Sequence, residues 1–183
     1  MIVSKQVADI LTAMRVILAF LFPVLGATQG TDALPIAVWM LIACWTTDSL
    51  DGPLARRSSR QYHTWIGDND LGVDMTVSVG LLVYMMQSGY VTVLLGTIYI
   101  LACGLLFLFI GVPRSLGMFV QAPIYGWLIR VALTQAPDPG FWLLIWPLLV
   151  MVLTWPRFPK EVIPEWLTGV KNVWGAFVAR TKD

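Results

Sequence analysis

The sequence predicts an all-α integral membrane protein: a six-transmembrane-helix bundle with a C-terminal amphipathic interfacial helix. Three observations carry that expectation. Of the 183 residues 57% are hydrophobic and only 13% are charged, against roughly 25% charged residues in a soluble domain. The apolar residues fall into runs close to the ~20 residues that a helix needs to cross a bilayer. Lys and Arg cluster in alternate connections rather than in all of them.

In chain order, the first span is expected over about 7–27, where Asp9, Thr12 and Arg15 recur at helical spacing and share one face. Further spans follow it, so this segment reads as a retained helix rather than a secretory signal. Gln29 to Asp32 form a turn, and Pro35 opens the second span at a position where proline is well tolerated. That span runs to Asp51, and a basic loop with Arg56, Arg57, Arg60 and His63 follows. The third span runs from about 67–70 to Gln87, with a turn at Ser88-Gly89-Tyr90. The fourth reaches about Val112, Pro113-Arg114-Ser115 breaks it, and the fifth covers about 116–133. Pro137-Asp138-Pro139-Gly140 reads as a turn before a short sixth span over 141–155.

Residues 1–155 are thus expected to form one six-helix transmembrane domain and 156–183 a cytoplasmic, interfacial tail. In the tail Trp166, Leu167, Val170, Val173, Trp174 and Phe177 share an apolar face behind Pro164, as in helices that lie in the membrane surface. With six spans, Lys5, the Arg56 loop, Arg114 and the basic tail all fall on one side, and the other three loops carry no Lys or Arg. The positive-inside rule makes that side cytoplasmic. The expected location is the inner membrane of a prokaryotic cell. Cys44 and Cys103 lie within apolar runs and read as small buried hydrophobes. No basic patch with interleaved aromatics points to nucleic acid.

The candidate chemistry sits between Asp48 and Asp74. Asp48 and Asp51 are three apart, Asp70 and Asp74 four apart, so each pair shares a helix face. Four like charges at the ends of apolar spans need a partner, and a cation that takes oxygen ligands, Mg2+, Mn2+ or Ca2+, supplies one. Gly52 and Ala55 are small enough to let a ligand approach the backbone, and Arg56 carries a fork suited to phosphate. A lone His63 in a basic loop reads as a solvated residue, and Trp142 and Trp155 as interface anchors.

Asp48-x-x-Asp51-Gly52-x-x-Ala55-Arg56 followed by Asp70-x-x-x-Asp74 resembles the signature of the CDP-alcohol phosphotransferases, also called CDP-alcohol phosphatidyltransferases. Asp9-Ile10-Leu11-Thr12-Ala13-Met14-Arg15 is similar to that family's N-terminal Asn-x-Leu-Thr-x-x-Arg stretch, with Asp9 in place of Asn. Ile66 stands where the family has a Gly before the third Asp, Gly67 follows one place later, and the gap after Arg56 is longer than usual.

The resemblance implies transfer of a substituted phosphate from a CDP-linked lipid donor to an alcohol, with release of CMP, in phospholipid biosynthesis. It implies metal ligation by Asp48, Asp51, Asp70 and Asp74, with Asp74 the catalytic base. It also implies nucleotide or substrate contacts from Asp9, Thr12, Gly52, Ala55 and Arg56, and a homodimer. Arg114, at the cytoplasmic start of the fifth span, is the candidate for an anionic acceptor head group. Two other readings stand beside this one: a catalytically silent CDP-lipid or nucleotide-binding family member, and a cation transporter.

Overall fold

A computed structural model describes residues 4–56, 70–153, 155, 164 and 171. The described residues form six α-helices: α1 (Ser4–Gln29), α2 (Leu34–Arg56), α3 (Asp70–Gln87), α4 (Val93–Ile110), α5 (Arg114–Gln135) and α6 (Pro137–Leu153), with a 3-10 turn at Gly30–Ala33 between the first two. Three helical stretches are long and apolar enough to cross a membrane. They are Asp9–Leu50, which takes in most of α1, the turn and most of α2, then Val93–Ile110 and Arg114–Gln135; Leu71–Gln87 and Pro137–Leu153 are shorter apolar helices. Helices that are apolar on nearly every face, such as α4, suit a lipid surround better than water. The expected interfacial tail over 156–183 falls almost wholly outside the described residues, and His63, Ile66 and Gly67 lie outside them too.

Successive helices run in opposite directions. The 3-10 turn folds α2 back on α1, so that Arg15 meets Asp48 near the open end of the hairpin. α3 then runs beside α1 in the same sense, with Asp74 level with Arg15 and the Tyr84 hydroxyl donating to the Gly30 carbonyl at the far end, 3.3 Å away. Gly89, at φ 75°, makes the turn into α4, as its lack of a Cβ allows. The Tyr99 hydroxyl of α4 donates to the Val120 carbonyl of α5 at 2.5 Å. α6 closes against α5 through Gly140, where a Cβ would strike the backbone of Ala132.

The core lies where α1, α2, α3 and α5 meet, around Phe22, Leu34, Val38, Leu41, Leu81 and Leu128, all buried. Gly80 is the closest contact between α1 and α3, since a Cβ there would run into the Ala19 carbonyl oxygen. Small residues at such a crossing let two backbones touch. The consequence is functional, because that approach sets Asp74, six residues earlier on α3, against Arg15, four residues earlier on α1.

One expected boundary is corrected. Pro137 to Gly140, read as a turn, form the first turn of α6, and the break is confined to Ala136. Prolines fit the first turn of a helix because the backbone N–H they lack has no partner there anyway. Arg130 is exposed and lies over the Trp127 ring, 4.8 Å from its centroid, a cation–π contact rather than an ion pair.

Candidate active site

Arg15 is the organising side chain. It is only 1% exposed, and its Nη1 donates to Asp48 Oδ1 at 2.7 Å and to Asp74 Oδ1 at 2.6 Å. Its Nη2 lies 3.4 Å from the Thr12 hydroxyl, one turn back on α1. A buried guanidinium costs several kcal/mol of lost hydration unless carboxylates and further hydrogen bonds compensate it. Here two carboxylates from two other helices do so at charge-assisted distances. Both remain partly open, their side chains 44% and 32% exposed for Asp48 and Asp74.

The neighbouring hydroxyls leave this cluster to the charged groups. Thr46 and Ser49, beside Asp48, donate to the carbonyls of Ile42 and Trp45 at 2.6 and 2.8 Å. Thr76, beside Asp74, donates to the Gly72 carbonyl at 2.7 Å. Each is a hydroxyl bonded back onto its own helix, four residues earlier. The carboxylates therefore carry the polar function that reaches across between helices.

A cavity of about 180 Å³ opens on this cluster and is lined by Arg15, Asp48 and Asp74 together with Trp45, Arg114, Gln121 and Tyr125. Two guanidiniums and two carboxylates thus face one space. Of the residues singled out in the sequence, Asp48, Asp74 and Arg114 line the cavity, and Thr12 is buried behind Arg15. Asp9 lies three residues before Thr12 on α1, is partly buried, and is not among the residues that line the cavity. Asp51, Gly52, Ala55 and Arg56 continue α2 in helical form to its end, and Asp70 is the first residue of α3. Their side chains lie outside the described residues.

Among the described residues no group of three or more His, Cys, Asp or Glu is placed to hold a metal ion. Asp51 and Asp70, two of the four expected ligands, are not in that set. The donor chemistry still fits a hard divalent cation: Asp48 and Asp74 offer carboxylate oxygens, and both already converge on a single positive group, the Arg15 guanidinium.

Sequence reading put Arg15 on a polar face without giving it partners, and it overlooked Trp45, Gln121 and Tyr125. A signal for the last two was present. Arg114, Met118, Gln121 and Tyr125 follow one another at helical spacing along one face of α5, so a basic residue and two polar ones share a stripe in an otherwise apolar helix. Trp45 lies three residues before Asp48, and its ring meets Tyr125 edge-on at 5.4 Å.

Comparison with known proteins gave no match to any family model, to any curated protein or to any solved structure.

Proposed function

We propose that this chain is a membrane phosphotransferase that moves a substituted phosphate, phosphatidyl in the expected case, from a CDP-linked lipid donor to an alcohol and releases CMP. One observation carries the reading: Asp48 and Asp74, the outer carboxylates of the two-part motif, meet at Arg15 on the wall of a cavity that also holds Arg114. Motif carboxylates that served only their own helix ends would have no reason to converge from two helices on one cation beside an open space.

Six spans with both termini and this cavity at the cytoplasmic side, and a tail lying in the interface, are the arrangement that the charge distribution favours. In the proposed reaction Asp74 accepts the proton of the acceptor hydroxyl as its oxygen attacks the phosphorus distal to cytidine. The bond from that phosphorus to the CMP oxygen breaks, and CMP leaves with the electron pair. Asp48, Asp51, Asp70 and Asp74 would hold Mg2+ or Mn2+, which when bound neutralises charge on the pyrophosphate. Gly52, Ala55, Arg56 and Thr12 border the nucleotide, Arg114 draws in an anionic acceptor, and the protein works as a homodimer.

CMP release by the purified protein from CDP-diacylglycerol, with Mg2+ or Mn2+ and a panel of alcohols, tests this. The expected result is release that needs metal and one class of acceptor and is abolished by Asp74→Asn. Binding of neither metal nor CDP-donor would sink the reading.

A second reading, a catalytically silent CDP-lipid binder, is favoured by the same ion pairs, since the base candidate Asp74 is tied to a guanidinium. Metal-dependent donor binding without turnover of any acceptor would select it.

A further inference from the structure

We infer that the half of α4 nearest the cavity, residues 100–110, is a strap that closes into the apolar groove between α3 and α5 and moves the start of α5, and with it Arg114, as it does so. The inference holds whatever reaction the cavity supports.

The other half of α4 is fixed. Trp127 Nε1 donates to the carbonyl of Tyr90, just before α4, at 3.0 Å, and the Tyr90 hydroxyl donates to the Thr31 carbonyl at 3.3 Å. Gly96 lies so close to Met86 of α3 that a Cβ would strike its sulfur. Three residues later the Tyr99 hydroxyl donates to the Val120 carbonyl of α5. Beyond Tyr99 the anchoring stops. Among the described residues, none from 100 to 110 is buried and none forms a hydrogen bond with another helix. A segment with few buried contacts opens at low cost while the rest of the fold stays in place.

The space for that movement is present. A groove of about 200 Å³ lies between this half of α4 and the α3–α5 seam, lined by Met75, Leu82, Cys103, Gly104, Phe107 and Ile124. Nothing lies within 4 Å of a Cβ built on Gly104, so the α4 backbone stands clear of both neighbours there. Between helices in a bilayer the attraction comes from van der Waals packing, and small residues let backbones approach. Closing the groove on Gly104 gains those contacts.

The movement reaches the cavity through a short link. The chain leaves α4 at Gly111, whose φ of 88° suits glycine, and Pro113 caps α5. The Leu116 and Gly117 N–H groups both donate to the Pro113 carbonyl, at 3.0 and 3.1 Å, so Pro113 moves with the first turn of α5. That turn carries Arg114, on the cavity wall. The start of α5 can follow α4, because Pro123 interrupts the hydrogen-bond ladder of α5 and Gly117 rests only on the flexible end of the Leu71 side chain.

The test places pairs of spin labels on the full-length protein in phosphatidylcholine vesicles, in a Cys103→Ala background, Cys44 being buried. Leu108, Val112 and Val152 are exposed at the cavity end of the bundle, and Leu94 and Phe141 at the other end. Pulsed electron resonance should give two distances for Leu108→Cys with Val152→Cys, and two for Val112→Cys with Val152→Cys. The second should be shorter by about 2 Å and hold about a tenth of the molecules. Leu94→Cys with Phe141→Cys should give one. Gly104→Phe, which fills the groove, should erase the shorter distance from both pairs. Tyr99→Phe, which frees the pivot, should broaden the Leu108 pair and leave the Leu94 pair unchanged. A single distance for the Leu108 pair, or a shorter one that survives Gly104→Phe, would overturn the proposal. Equal broadening of the Leu94 pair would do the same, since the whole bundle would then be loose. A Val112 pair that stays single while the Leu108 pair splits would overturn the link to Arg114.

Discussion

Arg15 and Asp74, 59 residues apart in sequence, are joined at 2.6 Å, and the same Arg15 nitrogen also holds Asp48. One side chain on α1 therefore ties α2 and α3 together at the end of the bundle where the cavity opens. Replacing Arg15 by Met keeps the length of the side chain but removes the guanidinium that joins the two carboxylates. Removing one partner of a buried ion pair costs ~3–5 kcal/mol. The partial exposure of both carboxylates places this case at or below the lower end, about 2–3 kcal/mol. Thermal unfolding in detergent should show a clear fall in Tm for Arg15→Met and a smaller one for Arg15→Lys, which restores the charge without the planar fork.

Gly80 and Gly104 are both helical glycines in apolar surroundings, and their replacement by Ala should have opposite outcomes. At Gly80 a Cβ would enter the Ala19 carbonyl, a backbone atom that can move only if α1 and α3 separate. Overpacking of that kind costs ~1–3 kcal/mol. It should also weaken the contact of Arg15 with Asp74 and so lower ligand affinity at the cavity. At Gly104 nothing lies within 4 Å of the added atom, so Gly104→Ala should be neutral or stabilising by up to ~1 kcal/mol through helix propensity. Equal Tm changes for the two variants would refute the packing account.

Much of this was legible in the sequence, and the limits have physical causes. The apolar run and the turn residues after it placed the end of α3 at Gln87, as observed, because a hydrophobic run and a Gly-containing turn are local properties. The Pro137–Gly140 segment was misread because the same prolines that mark turns also begin helices. Spacing put Asp48 and Asp74 on faces of their own helices, but no local pattern says which faces meet. That is decided by the Gly80 crossing and by the α1–α2 hairpin. Arg15 was visible on a polar face with Asp9 and Thr12, whereas its two carboxylate partners became visible only once three helices were packed. Gln121 and Tyr125 drew no notice because no recognised motif includes them, although their spacing from Arg114 was there to be read.

Tyr90 gives the opposite end of the bundle a pH dependence. Its hydroxyl donates to the Thr31 carbonyl at 3.3 Å, and burial, with a smaller contribution from nearby Asp32, raises its pKa above the usual 10.0. The folded state thus favours the neutral phenol more than the unfolded chain does. The resulting stabilisation is complete below about pH 10 and is lost as the pH rises through the higher folded-state value. Tm should therefore fall more steeply above pH 10 in wild type than in Tyr90→Phe, which has no proton to lose. Parallel profiles would remove Tyr90 from the account.

Arg15 and a divalent cation should compete for the same pair of carboxylates. In the structure a guanidinium supplies the positive charge between Asp48 and Asp74, so a metal that binds there must displace it or share its partners. Arg15→Met removes the competitor, and Mg2+ or Mn2+ can then restore part of the stability that the substitution takes away. A ligand at a hundred times its Kd stabilises the folded state by ~2.7 kcal/mol, comparable with the loss expected for the substitution itself. Titrating metal into both proteins and following Tm should therefore show a larger rise for Arg15→Met than for wild type, and the added Asp74→Asn change should abolish the difference. A metal response of the same size in both proteins would mean that the cation binds away from Arg15, with Asp51 and Asp70 as the remaining candidate ligands on α2 and α3. No response in either would remove metal from the proposed chemistry and favour a site in which Arg15 is the permanent counter-ion.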